Sequence, residues 1–127
     1  MDFGLRQSDI DYIVRVISEF SEIEKAVIFG SRAKGDFKPG SDVDIAIYGE
    51  NITFDTVSAV HSMLEEQGPL PYFFDIVDYT HLDHKDLKEH IDKVGKVIFE
   101  RKRAAEDFEK IQSFSLETSE EFTGTLI

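Results

Sequence analysis

The sequence predicts an α/β domain of two layers, in which helices pack on one side of a small mixed β-sheet. Three observations lead to this fold class. Short apolar runs bounded by turn residues alternate along the chain with stretches whose apolar residues recur at helical spacing. The length of 127 residues is that of one domain. The 41% of hydrophobic residues, with 11 phenylalanines, are sufficient for a real core.

The first half of the chain is predicted to hold a helix, two strands and a short helical turn between them. Ser8 is a candidate cap for the first helix, whose apolar face consists of Ile10, Ile13, Val14 and Ile17. Residues 26–29 form an apolar run that ends at Gly30, as a buried strand feeding a turn does. Residues 32–41 contain Gly, Lys and Pro and indicate a helical turn followed by a loop. Residues 43–48 alternate in polarity and predict a second strand.

The second half is predicted to alternate between helices and strands. The expected elements are a helix at 53–67, a strand at 72–78, a helix at 83–94, a strand at 96–99 and a helix at 101–114. Gly68-Pro69 and Gly95 follow the first two of these helices and are typical helix stops. We therefore expect residues 1–100 to form the main domain. Residues 101–127 would supply an extra C-terminal helix and a tail, which either complete this domain or bind a partner.

The charge and composition exclude several functional classes. Twenty-six acidic and 14 basic side chains give a formal charge of −12, which argues against binding to free nucleic acid. There is no run of 18 apolar residues, so a membrane span is not expected, and the N-terminus lacks the pattern of a signal peptide. The absence of cysteine fits a reducing compartment. These observations predict a cytoplasmic protein.

One group of residues has the pattern of a site for chemistry. Gly30-Ser31 is followed, after ten residues, by Asp42-Val43-Asp44. Side chains two positions apart on a strand point to the same face, so the carboxylates of Asp42 and Asp44 should converge. Two carboxylates this close repel unless a cation lies between them, and Mg²⁺ prefers such oxygen ligands. The sequence therefore predicts a metal site at the start of the second strand.

Phosphate-binding groups and a third carboxylate are expected beside this pair. Gly30 lets another group approach the backbone closely, and Ser31 lies where free N–H groups at a helical turn favour anions. Arg32 either steadies phosphates or is a solvated charge. Asp75 lies in the middle of an apolar strand, where an unpaired ion is costly, and is assigned to a second metal ion. Asp78 competes for this role but adjoins the following loop.

These residues resemble the nucleotidyltransferase superfamily that includes DNA polymerase β, and more closely its minimal nucleotidyltransferase (MNT) family. The resemblance extends roughly from Ala26 to Glu100, through the stretches 29–35, 40–47 and 70–78. It implies that Asp42 and Asp44 bind two Mg²⁺ ions, that Asp75 binds one of them, and that Gly30 and Ser31 hold the triphosphate. All three aspartates would then be catalytic.

The resemblance also implies a substrate and a partner. Many MNT proteins are encoded beside a HEPN toxin and act as its antitoxin by adenylylating a tyrosine. We therefore expect transfer of AMP from ATP to a hydroxyl of a HEPN partner, in a hetero-oligomer with that partner or as a homo-oligomer. Two alternatives stay open. One is a small-molecule transferase of the aminoglycoside-modifying type, and the other is an antitoxin that neutralises its partner by binding alone.

Overall fold

The computed structural model describes residues 3–101. The helices are α1 (Gln7–Ser18), α2 (Gly30–Lys34), α3 (Phe54–His61), which continues as a π-helical turn over Ser62–Glu66, and α4 (Lys85–Val94). The strands are β1 (Lys25–Phe29), β2 (Val43–Tyr48), β3 (Phe74–Asp78) and β4 (Lys96–Glu100). The predicted order of helices and strands is confirmed within this range. The C-terminal helix predicted at 101–114 lies outside the described residues, apart from Arg101.

The four strands form one mixed sheet in the order β3-β2-β1-β4. β1 pairs antiparallel with both β2 and β4, whereas β2 and β3 are parallel. Parallel neighbours need a crossover connection, and α3 supplies it. The parallel pairing matters for the site because it places the first residues of β2 and β3 at the same end of the sheet.

Apolar side chains occupy both faces of the sheet, and this corrects one expectation. The larger core lies on the face covered by α1 and α3, and its strand residues include Ala26, Ile28, Val43, Ile45 and Ile47. A smaller cluster on the opposite face joins Val27, Phe29 and Ala46 to Ile91 of α4. The α/β class and the mixed sheet are confirmed, but the placement of all helices on one side is wrong for α4. The reason is that β1 is apolar on both faces, so its second face also needs a cover.

The start of α1 also differs from the prediction. The residue before the helix is Arg6 rather than Ser8, and the helix begins at Gln7. The carboxylate of Asp9 accepts a hydrogen bond of 3.1 Å from the backbone N–H of Arg6 and further bonds from its guanidinium. Asp9 therefore satisfies the free N–H at this end of the helix in place of a serine hydroxyl.

No helix within residues 3–101 is both long enough and apolar enough to cross a lipid bilayer.

Candidate active site

Strand pairing brings two of the three predicted aspartates side by side. Asp44 of β2 and Asp75 of β3 are direct partners in the parallel register, so their side chains lie on the same face of the sheet. Asp42 directly precedes β2 and is exposed, as is Asp75, whereas Asp44 is partly buried. All three carboxylates thus lie at the end of the sheet where β2 and β3 begin.

The ionisation of Asp44 shows how closely these charges interact. Its pKa is raised to about 6, first because the carboxyl is removed from water and then because Asp75 and Asp42 repel its negative charge. The positive charge of Arg32 opposes this increase. A carboxylate held at this cost has a strong physical reason to bind a cation.

Gly30 is required beside Asp44 for two reasons. Its φ of +70° is a backbone conformation that residues with a side chain rarely adopt. A Cβ atom built on Gly30 would also collide with the Oδ2 atom of Asp44. Phe29, the residue before it, pairs with Asp44 across β1 and β2. The glycine therefore lets the chain pass directly over a candidate metal ligand, as its place in the motif predicts.

Ser31 lies next to this glycine in the first turn of α2. The residue before the helix, Phe29, offers no side chain to cap its N–H groups. Ser31 is half-buried, and its carbonyl accepts the N–H of Gly35, which closes the helix. Gly30 thus adjoins Asp44, and Ser31 follows it in the chain. The role of these two residues in binding phosphate stays a prediction.

The donor set suits Mg²⁺, although the ligands are not gathered around an ion. Within residues 3–101, no three His, Cys, Asp or Glu side chains are placed so that they could hold a metal ion as they stand. The residues nevertheless fit the requirement of this ion, because Asp42, Asp44 and Asp75 offer only carboxylate oxygens. Burial and then repulsion by Asp75 and Asp42 raise the pKa of Asp44, and a divalent cation would relieve that repulsion.

Arg32 has a different environment from the one expected of a phosphate ligand. It is 2% exposed, and its guanidinium donates to the backbone carbonyls of Ser41 and Phe3. The Nη2–O distance to Ser41 and the Nη1–O distance to Phe3 are both 2.8 Å. These contacts do not support a direct role of Arg32 in binding nucleotide, because Nε, Nη1 and Nη2 each donate to a backbone carbonyl and the side chain is buried. The contacts are long-range in sequence, so the motif alone did not reveal them.

Asp78, the competing candidate for the third carboxylate, is engaged elsewhere. It pairs with Ile47 in the parallel register, three positions beyond Asp75, and its Oδ2 atom lies 2.7 Å from Nδ1 of His81. His84, three residues after His81, caps α4 by accepting the N–H of Leu87 at 3.0 Å. Both histidines therefore have local structural partners.

The structure adds to the surroundings of Asp75 one residue that the sequence did not indicate. Glu65, in the π-helical turn after α3, accepts the backbone N–H of Phe74 at 2.7 Å, directly before Asp75. Its other oxygen lies 3.3 Å from Nε2 of His61. A glutamate on a predicted helix is usually solvated, so only the widened turn could have pointed to it, since π-helical turns are frequent at functional sites.

Comparison with known proteins agrees with this geometry. A model of the polymerase beta nucleotidyltransferase family matches residues 11–104. The search of curated proteins found no match.

Several solved structures similar to this chain are toxin–antitoxin proteins. A toxin–antitoxin structure with AMP-PNP has a TM-score of 0.61 and 17% identity, over 97% of this chain and 100% of that chain. An MNT antitoxin in complex with the tri-AMPylated HEPN toxin of Shewanella oneidensis has a TM-score of 0.59 and 16% identity, over 95% and 98%. An MntA–HepT structure has a TM-score of 0.59 and 15% identity, over 96% and 100%. At these identities the likeness is one of fold. Because the family model matches most of the chain, the protein belongs to the polymerase beta nucleotidyltransferase family of enzymes.

Proposed function

We propose that this protein transfers AMP from ATP to a hydroxyl group, with tyrosine as the expected acceptor, on a HEPN toxin that it neutralises. The observation that carries the proposal is the register pairing of Asp44 with Asp75 directly beside Gly30. This pairing supports the proposal because it brings the candidate metal ligands to the end of the sheet where the candidate phosphate-binding turn lies. The fold of MNT antitoxins, one of them in complex with a tri-AMPylated HEPN toxin, supports the choice of partner.

The residues have separate roles in this reaction. Asp42, Asp44 and Asp75 would hold two Mg²⁺ ions, and the N–H groups after Gly30 would donate hydrogen bonds to the triphosphate. When bound, Mg²⁺ supplies positive charge for the transferring phosphoryl group and lowers the pKa of a bound hydroxyl. The acceptor oxygen bonds to the α-phosphorus of ATP, and the bond from that phosphorus to the β-phosphate oxygen breaks. Pyrophosphate leaves, and the hydroxyl proton passes to water through the open face beside Asp75, whose side chain is exposed.

The charge of the protein also favours a protein acceptor. A formal charge of −12 repels nucleic acid, whereas a partner with a complementary basic surface would be attracted. The described domain is one small sheet with its helices, and its compact size leaves the acceptor to bring its own binding surface. Cytoplasmic location is part of the proposal, because HEPN toxins and ATP are expected there.

The test is incubation of the purified protein with a HEPN protein from the same genome, ATP and Mg²⁺. Intact mass should show one or more AMP units on the HEPN protein, and Asp44→Asn should abolish the increase. Asp78→Asn is the matched control, because it removes the same charge on the neighbouring strand away from the site. An unchanged HEPN mass, together with efficient labelling of an aminoglycoside or of RNA ends, would show that the acceptor has been misassigned.

A further inference from the structure

Arg32 is a buried cation that is bound by backbone oxygens. Its Nε and Nη2 atoms donate to the carbonyl of Ser41 at 3.2 and 2.8 Å, and its Nη1 atom donates to the carbonyl of Phe3 at 2.8 Å. Among the described residues, Arg32 forms no ion pair with a carboxylate. Burying a charge without an ionic partner is costly, so these contacts must offset a substantial desolvation penalty.

Two aromatic rings complete the environment of the guanidinium. Its central carbon lies 5.3 Å from the ring centroid of Phe37 and 5.1 Å from that of Tyr72. Such cation–π contacts are most favourable when the cation is removed from water. The hydroxyl of Tyr72 lies 3.3 Å from the buried carboxylate of Asp9, which connects this ring to the start of α1. We call Arg32 with Ser41, Phe3, Phe37 and Tyr72 the Arg32 brace.

The brace contacts the segments that lead into both strands of the candidate site. Ser41 immediately precedes Asp42 and β2, and Tyr72 lies two residues before β3, which contains Asp75. Arg32 itself follows Gly30 and Ser31 in α2. One side chain therefore connects the phosphate-binding turn, the Asp42–Asp44 strand and the Asp75 strand.

From this arrangement we propose that Arg32 is a positioning residue, which fixes the start of β2 relative to the start of β3 and so sets the spacing of the three aspartates. Its consequence for transfer rests on the proposed function, but the mechanical role does not. Lysine should not replace it, because an ammonium group lacks the planar fork that reaches Ser41 and Phe3 together. A displacement of about 1 Å between reacting groups is sufficient to reduce turnover by roughly 100-fold.

The N-terminal segment offers a second way to loosen the brace. Gly4 has a φ of +71°, and a Cβ atom there would collide with the ring of Phe37 and lie 3.0 Å from Nη1 of Arg32. Gly4→Ala should therefore displace the Phe3 carbonyl while leaving every candidate ligand unchanged. Gly35→Ala is the matched control, since Gly35 has a φ of +91° but no atom within 4 Å of its added Cβ.

The mechanical role is tested by amide hydrogen exchange without nucleotide, on Arg32→Lys, Gly4→Ala and Gly35→Ala. The reporter is the N–H of Ser41, which donates to the carbonyl of Lys38 at 2.9 Å. We expect its exchange to accelerate by about tenfold or more in Arg32→Lys and Gly4→Ala and to be unchanged in Gly35→Ala. Amides of the central strand β2 from Ile45 onward should keep their protection in all three proteins. If Arg32→Lys does not fold, Gly4→Ala carries the test alone.

Steady-state kinetics of AMP transfer then distinguish a positioning role of Arg32 from direct binding of nucleotide. With the brace loosened, kcat should fall roughly 10- to 100-fold, while KM for ATP changes less than about threefold. Unchanged protection of Ser41 in both variants would overturn the proposal. A selective increase in KM with kcat retained would also overturn it, because Arg32 would then bind nucleotide directly. Faster exchange in the variants, with no transfer by the wild type, would support the brace and contradict the proposed function.

Discussion

Asp44→Asn should stabilise the folded protein at neutral pH while removing its activity. The carboxyl of Asp44 has a pKa of about 6 in the folded state, compared with 3.8 for an unperturbed aspartate. A pKa that is higher when folded means that folding opposes ionisation. The protein therefore loses stability as the pH rises from about 4 to about 6, where Asp44 becomes charged among its neighbours.

The size of the effect follows from the pKa difference. A pKa change from 3.8 to about 6 corresponds to at most about 3 kcal/mol of folding free energy. Asp44 is only partly buried, so solvent screening reduces this value to roughly 1–2 kcal/mol. Well below pH 3.8 the carboxyl is protonated in both the folded and unfolded states and contributes nothing. Asparagine has nearly the same shape but no charge, so it removes the cost at every pH.

The measurement is denaturant unfolding of the wild type and Asp44→Asn, with a chelator present, at pH 4 and at pH 7. The difference in unfolding free energy between the two proteins should shift by about 1–2 kcal/mol in favour of the variant at the higher pH. Effects of asparagine that do not depend on ionisation cancel in this comparison. A pH-independent difference, or a shift in favour of the wild type, would refute the raised pKa that burial and the neighbouring charges of Asp75 and Asp42 give to Asp44.

Two further predictions concern the neighbours of Asp44. Gly30→Ala should cost more stability than Gly35→Ala, by about 1–2 kcal/mol or more. The reason is that both glycines have a positive φ, but only at Gly30 would an added Cβ collide with Asp44. If the denaturant unfolding curves of the two variants coincide, this collision is contradicted. Asp75→Ala should abolish transfer with little change in thermal stability, because the side chain of Asp75 is exposed. Asp78→Ala should retain transfer, but its free energy of unfolding should fall by up to about 1 kcal/mol because the contact with His81 is lost. The opposite ranking of these two aspartates would reassign the third ligand.

The sequence was sufficient for those features that depend on local periodicity. The alternation of polarity over residues 43–48 predicted β2 and placed Asp44 on the face opposite Val43 and Ile45. The three-residue spacing of Asp75 and Asp78 implied that only one of them faces the other aspartates, and the strand register agrees. Period-two arguments of this kind work because a strand fixes side-chain direction without any knowledge of its partners.

Features that depend on distant contacts were not predictable in this way. Arg32 appears in a motif next to Ser31, which suggests phosphate binding, but its partners are Phe3 and the carbonyl of Ser41, 29 and 9 residues away. The face on which α4 packs was equally hidden, because its apolar stripe fits either side of the sheet. Only the apolar second face of β1, with Val27 and Phe29, decides between them.

Several unfavourable features of the molecule are concentrated around one carboxylate. Gly30 adopts a positive φ beside Asp44, and the pKa of Asp44 is raised by burial and then by two neighbouring acids. Arg32 is buried nearby and has no ion pair with any carboxylate of residues 3–101. Backbone strain and repulsion of this kind persist only where the surrounding structure holds them in place. Here the large core on the opposite face of the sheet, together with the Arg32 brace, supplies that support. A bound divalent cation would relieve the repulsion but not the strain at Gly30, so a folded protein without metal should bear both costs at once.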